Sequence, residues 1–281
     1  MSHPRKTIHT EPRSVSQALS QTAAEYQATV LQLVRRLIAG DCQPDDVHAI
    51  RTHCRRLQAL LELSGDDDRA AIMAQNVRRL SKLRALQVFQ QYLTKIEAPK
   101  AEVNAVQSWV TEKDQKLRRT QAYRTIEQAV LKHAFPSITH DDSSLHSRLE
   151  TLRHVHVQDL ERLIEEALEK PRRKRLHAVR LALKTIRYQT EWSPGRPEPK
   201  QALVKKIKQV QALLGRYEEL ADFRRWGKEL DLTVLPRIRK DWKRIRKRAR
   251  AVPADLNWLV DALASGHLWL GKEQKKTADG C

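Results

Sequence analysis

The chain has 281 residues, of which 40% are apolar and 5% aromatic, and it contains only 8 glycines. Leu, Ala, Gln, Glu, Lys and Arg dominate, so the composition predicts an all-α protein and argues against Rossmann-like folds, sandwiches and barrels. The 53 Lys and Arg residues outnumber 34 Asp and Glu residues, and the formal net charge of +19 indicates an anionic partner: nucleic acid, polyphosphate or an acidic membrane surface.

Apolar residues at helical spacing predict the elements of the first half. Residues 1–13 carry no such pattern and are predicted to form a disordered tail. Helices are predicted over about 15–38, 44–63, 66–97 and 101–133. Gly40, Gly65 and Pro99 mark the ends of the first three. The segment 134–144 combines a proline, two aspartates and three serines, so it is the predicted boundary between two halves.

The second half is predicted to be helical as well. Helices are predicted over about 145–169, 172–192, 199–230, 236–250 and 255–270. An irregular loop is expected over 193–199, and residues 271–281 are expected to form a disordered tail. The chain therefore reads as two consecutive bundles, residues 14–139 and 140–270, each similar to a four-helix bundle.

The sequence also bears on location. The N-terminus lacks the apolar core of a signal peptide, and no stretch of 18 apolar residues occurs. The three cysteines are odd in number and show no CxxC spacing, which favours reduced thiols. We therefore expect a cytoplasmic protein. A cytoplasmic location is compatible with attachment to polyphosphate granules.

The excess positive charge is concentrated in one part of the chain. Residues 171–250 hold 25 Lys and Arg against 8 Asp and Glu, and the rest of the chain holds 28 against 26. Within this part, residues 237–250 (RIRKDWKRIRKRAR) have nine bases in fourteen positions. This stretch is predicted to be a helix that extends a polyanion-binding track, contacts an acidic membrane surface or RNA, or simply presents a solvated basic face.

An internal repeat links the two halves. Residues 47–63 (VHAIRTHCRRLQALLEL) and 176–192 (LHAVRLALKTIRYQTEW) align without gaps at an offset of 129. Both share the order apolar-His-Ala-apolar-Arg, and in each half the following helix contains Leu and then a small residue, Leu80-Ser81 and Leu214-Gly215. A repeat of this length predicts duplicated bundles related by pseudo-twofold symmetry.

Each histidine helix is predicted to have one apolar and one cationic face. At 100° per residue, the bases fall on an arc separate from the apolar stripe. The cationic arcs hold His48, Arg51, Arg55 and Arg56 in the first copy, and His177, Arg180, Lys184 and, at the border, Arg187 in the second. Like charges at this spacing repel by a few tenths of a kcal/mol per pair, so a polyanion site would explain the pattern.

These motifs resemble the CHAD family, the conserved-histidine α-helical domain. The resemblance covers about residues 15–250 and is carried by VHAIRTHCRRL and LHAVRLALKTIRY. A second family feature, Leu-Gly-x-x-Arg-Asp, is degraded to LSKLRA in the first copy, which keeps Arg84, and to LLGRYEE in the second, which keeps Gly215. The resemblance implies two helical bundles around a basic cavity or groove that binds inorganic polyphosphate.

The resemblance also implies which residues bind. The polyphosphate-binding candidates are His48, Arg51, Arg55, Arg56, Arg84, His177, Arg180, Lys184 and Arg187. Lys205 and Lys208 are added because we expect the next helix to carry them to the same surface. No cofactor, metal or catalytic residue is expected, so the protein is predicted to be a non-catalytic binding module.

Two other functions compete with this hypothesis. One is an RNA- or DNA-binding protein that uses the same basic surface without sequence specificity. The other is a phosphohydrolase that acts on polyphosphate, although the sequence has no evident acidic metal cluster, no ExExK signature of the CYTH partner domain, and no Walker loop or HExxH motif. Competition between polyphosphate and single-stranded RNA distinguishes polyphosphate binding from nucleic-acid binding.

Overall fold

The computed structural model describes residues 14–43, 45–133, 141–192 and 197–264, and these residues form helices and no strands. The prediction of an all-α protein is confirmed. The eleven helices in this part are α1 (Val15–Ala39), α2 (Asp46–Ser64), α3 (Asp67–Arg79), α4 (Ser81–Lys95), α5 (Lys100–Arg119), α6 (Ala122–Lys132), α7 (Asp142–Glu169), α8 (Arg173–Trp192), α9 (Pro197–Glu229), α10 (Leu235–Ala251) and α11 (Asn257–Ala264). A 3₁₀ turn, Val252–Asp255, joins the last two. The predicted tails and residues 134–140 of the predicted boundary lie outside the described residues.

The helix ends follow the chain's capping residues. Ser14 accepts a hydrogen bond from the Gln17 amide at the start of α1, which satisfies one of the free N–H groups of the first turn. Gly40 and Gly65 end α1 and α2 in the left-handed conformation, with φ of 90° and 82°. A residue without a side chain adopts this conformation at no steric cost, so both predicted stops are confirmed.

Two long helices predicted in the first half are each interrupted. The helix predicted over 66–97 breaks at Leu80, where the Ser81 hydroxyl donates to the Val77 carbonyl at 2.9 Å. Such a side-chain bond competes with the backbone ladder of the helix. The helix predicted over 101–133 breaks at Gln121, whose φ of 55° is left-handed. Neither break lies at a glycine or a proline, so the sequence gives no local signal for it.

Two helices of the second half begin two or three residues earlier than predicted. Helix α7 starts at Asp142, because Asp141 caps it by accepting from the Ser144 amide at 2.7 Å. Helix α9 starts at Pro197, so residues 197–199 of the predicted loop are helical, and residues 193–196 lie outside the described residues. A proline fits the first turn, where no backbone N–H is needed. Helix α9 then runs unbroken for 33 residues.

The helices pack around one contiguous apolar core that includes Cys54. Helices α2 and α8 contact each other, and α4 contacts α9. The second contact is aromatic: the Phe89 and Phe223 rings stack with centroids 4.7 Å apart, flanked by Tyr92 and Trp226. When Leu80 is aligned with Leu214, these two phenylalanines occupy equivalent positions. The division into two bundles stays a prediction.

Candidate functional site

A cleft of about 720 Å³ lies where α2, α3 and α4 face α8 and α9. It brings together seven of the eleven predicted binding residues, which are His48, Arg51, Arg55, Arg84, His177, Arg180 and Lys184. Helices α2 and α8 contribute six of the seven, because spacings of three and four residues place these side chains on one face of each helix.

The centre of the cleft is a cluster of four basic side chains. Arg51 and Arg55 come from α2, and Arg180 and Lys184 come from α8. All four side chains are partly buried, and none forms an ion pair with a carboxylate in the described part of the chain. We name Arg51, Arg55, Arg180 and Lys184 the central cluster.

Burial and mutual repulsion disfavour the charges of the central cluster. They lower the pKa of Lys184 to about 6, with burial as the largest cause, followed by the neighbouring Arg55 and Arg180 guanidinium groups. Burial and the adjacent arginines also lower the pKa of Arg51 to about 10. Near pH 7 the free protein therefore leaves Lys184 largely uncharged, and a bound anion would favour its charged form.

On the α2 side, the cationic side chains are anchored to the wall of the cleft. The Arg51 Nη1 donates to the Val77 carbonyl at 2.9 Å and to the Ser81 hydroxyl at 2.6 Å, at the break between α3 and α4. The Arg84 Nη1 lies 3.6 Å from the exposed Asp45 carboxylate. The His48 ring is largely exposed at the cleft rim, yet partial burial and the nearby Arg84 charge lower its pKa.

On the α8 side, the histidine meets an acid instead. The His177 Nδ1 lies 3.4 Å from the Glu218 Oε2. The Arg173 Nε donates to the same carboxylate at 3.2 Å, and its Nη2 pairs with Asp222 at 3.0 Å. Burial raises the pKa of Glu218, but the nearby His177 ring and the hydrogen bond and charge of Arg173 outweigh it and leave the pKa lowered. The expectation that both histidines lie among cations therefore holds for His48 and is wrong for His177.

Arg180 lies against the α9 backbone at Gly215. A Cβ added at Gly215 would lie 3.1 Å from the Arg180 Nη2 and 3.2 Å from its Nε, so the guanidinium uses the space that the missing side chain leaves. The buried Arg180 Nε has no hydrogen-bond partner in the described structure. It is therefore a donor on a cleft-lining side chain that has no acceptor among the described residues.

Sequence reasoning missed the acids of the cleft. Glu62 from α2 and Glu218, Glu219 and Asp222 from α9 line it beside the cations. The replacement of the family arginine and aspartate by Glu218 and Glu219 was visible in the sequence, but helix spacing alone could not tell which face of α9 turns inwards.

The other four predicted residues lie outside the cleft. Arg56, Lys205 and Lys208 line a second groove of about 820 Å³ between α2, α8 and α9, together with Glu191. Arg187 stands beside it, with its Nε 3.6 Å from Glu191 and its guanidinium 4.3 Å from the centre of the adjacent Tyr188 ring. Lys208 pairs with the same Glu191 at 3.3 Å. The predicted residues are thus divided between two neighbouring surfaces.

The comparisons with known proteins agree with these motifs. A family model described as the CHAD domain matches residues 21–227, so the chain belongs to the CHAD family. The structure is similar to a solved one, the crystal structure of the CHAD domain from the plant Ricinus communis, with a TM-score of 0.56 and 19% identity over 95% of this chain and 97% of that chain. At this identity the likeness establishes the fold. No curated protein matches the chain.

No helix in the described ranges combines the length and the apolar character that crossing a membrane requires.

Proposed function

We propose that the cleft binds inorganic polyphosphate without chemical turnover. The observation that carries the proposal is the central cluster: four partly buried basic side chains from two helices that line one cleft and have no ion-paired carboxylate in the described structure. Membership of the CHAD family, which is associated with polyphosphate binding, supports this choice of ligand.

The chemistry of the cluster suits a phosphate polymer. Arginine donates pairs of hydrogen bonds to phosphate oxygens, and lysine acts as a point charge. A polyphosphate chain has no bases to stack, and the cleft offers it cations on both walls rather than an aromatic platform. The Arg180 Nε, which is buried without an acceptor, would gain one from a phosphate oxygen.

The acids of the cleft support a binding role rather than a catalytic one. Glu218 and Asp222 are both held by Arg173, and Glu219 lies 3.4 Å from Arg216. Each of these three carboxylates is thus already paired with an arginine side chain. The proposal therefore assigns these acids to positioning arginines and His177, not to metal-assisted hydrolysis.

The test is direct binding of polyphosphate of defined length, measured by calorimetry across a range of salt concentrations. Log affinity should fall linearly with log salt, because contacts to phosphates release counterions. The double variant Arg55→Gln/Arg180→Gln should lose more than tenfold in affinity, since hydrogen bonds to charged groups contribute about 1.5–3 kcal/mol each.

The matched control is Arg119→Gln/Arg124→Gln, which removes two exposed arginines elsewhere. Equal losses in both double variants would mean diffuse attraction and no dedicated site. Single-stranded RNA that displaces polyphosphate at equal phosphate concentration would favour the nucleic-acid function. Release of phosphate over hours with added divalent metal would contradict the non-catalytic role.

A further inference from the structure

Helix α10 presents a dense basic face that the proposed function does not use. Its nine bases are Arg237, Arg239, Lys240, Lys243, Arg244, Arg246, Lys247, Arg248 and Arg250. The helix has one acid, Asp241, which accepts a hydrogen bond from Tyr92 at 3.0 Å and pairs with Arg244 at 3.0 Å. Asp241 is thus already engaged by Tyr92 of α4 and by one arginine of its own helix.

The bases of α10 point away from the core. Ile238, Ile245 and Ala249 are buried, and the nine bases occupy the opposite arc of about 200° at 100° per residue. Six exposed bases form neither an ion pair nor a hydrogen bond with any residue that the structure describes, and these are Arg239, Lys240, Lys243, Lys247, Arg248 and Arg250.

This face is separate from the cleft. Helix α10 packs on α9 at Gly227, where an added Cβ would lie 3.2 Å from the Ile238 Cδ1. The Trp242 ring is held between two guanidinium groups, Arg224 at 3.9 Å and Arg246 at 4.9 Å. Among the described residues, none of those that line the cleft or the second groove comes from α10.

The chemistry of the face distinguishes between anionic partners. An interfacial membrane helix buries an apolar side in the lipid, but the apolar side of α10 is already buried in the protein. The nine charges extend over about 20 Å of helix, roughly one per 2 Å. Duplex DNA carries about one negative charge per 1.7 Å of its axis.

The shape of the face fits a duplex groove. A helix with side chains is about 10–12 Å wide, and the major groove of B-form DNA is about 12 Å wide. Bases on both flanks of α10 can reach the phosphates of both strands, which a single thin chain would not require. The major groove of A-form RNA is narrow and deep, so the same helix fits it poorly.

We infer that α10 is a docking face for the phosphate backbone of double-stranded DNA, without sequence specificity and independent of the cleft. Its exposed lysines Lys240, Lys243 and Lys247 lie at the centre of the face and contact phosphates. Arg237, Arg244 and Arg248 flank it on one side, and Arg239, Arg246 and Arg250 flank it on the opposite side.

The experiment measures binding of a fluorescent random-sequence DNA duplex to the full chain by anisotropy, across salt concentrations. The variant Lys240→Gln/Lys243→Gln/Lys247→Gln should bind about ten- to a hundredfold more weakly at ~0.15 M salt, and its salt slope should fall by about 2.7, or 0.9 per lost contact. The control Lys116→Gln/Lys132→Gln/Lys170→Gln removes three exposed lysines on other helices and should bind like the wild type.

Three outcomes would overturn the inference. One is equal weakening by both triple variants. Another is a loss of duplex binding in the cleft variant Arg55→Gln/Arg180→Gln with none in the α10 variant. The third is equal or tighter α10-dependent binding of single-stranded RNA or of phosphatidylglycerol vesicles. Polyphosphate binding by the cleft is measured separately, so failure here leaves the proposed function standing, and the reverse also holds.

Discussion

The two histidine helices enter the cleft with the same motif but meet different partners on its walls. His48 on α2 lies near the Arg84 cation, whereas His177 on α8 lies 3.4 Å from the Glu218 carboxylate. Arg84 and Glu218 occupy equivalent positions when Leu80 is aligned with Leu214. The first half of the cleft is therefore more cationic at its rim, and the second half is balanced by acids.

The arginines of the two halves differ as well. Arg51 is fixed by two hydrogen bonds at the break between α3 and α4, whereas Arg180 rests against Gly215 with its Nε unpaired. The net charge of a segment does not predict the charge of its site. Residues 171–250 carry a large excess of positive charge, yet the acids of α9 line the cleft, and much of the positive excess lies on α10, outside the cleft.

The largest expected effect is the pH dependence of polyphosphate affinity. It depends on Lys184 of α8, which lies close to arginines of both α2 and α8. Its pKa of about 6 in the free protein reflects burial and the cations Arg55, Arg180 and Arg51. A bound polyanion offsets these charges and raises the pKa, so the complex holds more protons than the free protein above pH 6. Affinity should strengthen by up to about tenfold for each pH unit from 8 to 6.

Calorimetry in buffers of different ionisation enthalpy measures the protons taken up. Lys184→Met should flatten the pH dependence, and His48→Gln should remove a smaller part near pH 6. An unchanged slope in Lys184→Met would assign the proton to another group.

The same lysine affects the stability of the free protein. A lysine whose pKa is lowered by folding costs stability as the pH falls from about 10 towards 6, because the unfolded chain then binds the extra proton. Lys184→Met should therefore raise the melting temperature of the free protein more at pH 6.5 than at pH 10. Thermal unfolding checks this, and an equal gain at both pH values would contradict the charged-lysine explanation.

The next largest effect separates the two arginines. Arg180→Ala should reduce the binding free energy more than Arg51→Ala does, with a loss of about 1–3 kcal/mol for each. The reason is that the Arg51 guanidinium already donates to Val77 and Ser81. Thermal stability should rank the other way, with Arg51→Ala the less stable of the two. Lys100→Ala, exposed and outside the cleft, is the control. Equal binding losses for the two arginines would mean that the two halves contribute alike.

The sequence predicts much of the fold and the main part of the site. Helical periodicity places the helices, and spacing within α2 and α8 places six cleft residues on inward faces. What it cannot predict depends on tertiary contacts. The break at Leu80 coincides with bonds that join Arg51, Val77 and Ser81 across helices. Lys208 lies on the same side of α9 as Gly215 but about 10 Å earlier along the helix, so it reaches the second groove instead.

A smaller effect tests the acid of the second half. Glu218→Gln removes a negative charge beside His177 and should strengthen polyphosphate binding by about two- to fivefold, or about 0.5–1 kcal/mol for a partly screened charge. The mirror variant Arg84→Gln should weaken binding by a similar factor. Glu112→Gln, exposed on α5, is the control for net charge. Weaker binding in Glu218→Gln would mean that this acid holds His177 and Arg173 in the binding geometry.

The smallest effect is expected from a substitution that gives α9 at position 215 the serine that α4 has at the equivalent position 81. In Gly215→Ser, the new side chain stands where Ser81 stands in α4, and its hydroxyl can accept from Arg180 as Ser81 accepts from Arg51. The Cβ meets only the flexible end of Arg180, which can move by a few tenths of an ångström. Stability should rise by about 0.5 kcal/mol from helix propensity, and affinity should fall by less than about threefold.

The informative measurement is then a double-mutant cycle. If Gly215 leaves Arg180 free to bind the ligand, Arg180→Ala should cost less affinity in the Gly215→Ser background, approaching the cost of Arg51→Ala. An unchanged cost would mean that the small residue and the arginine act independently. In that case, the difference between the two halves lies in Arg84 and Glu218 rather than in how each arginine is held.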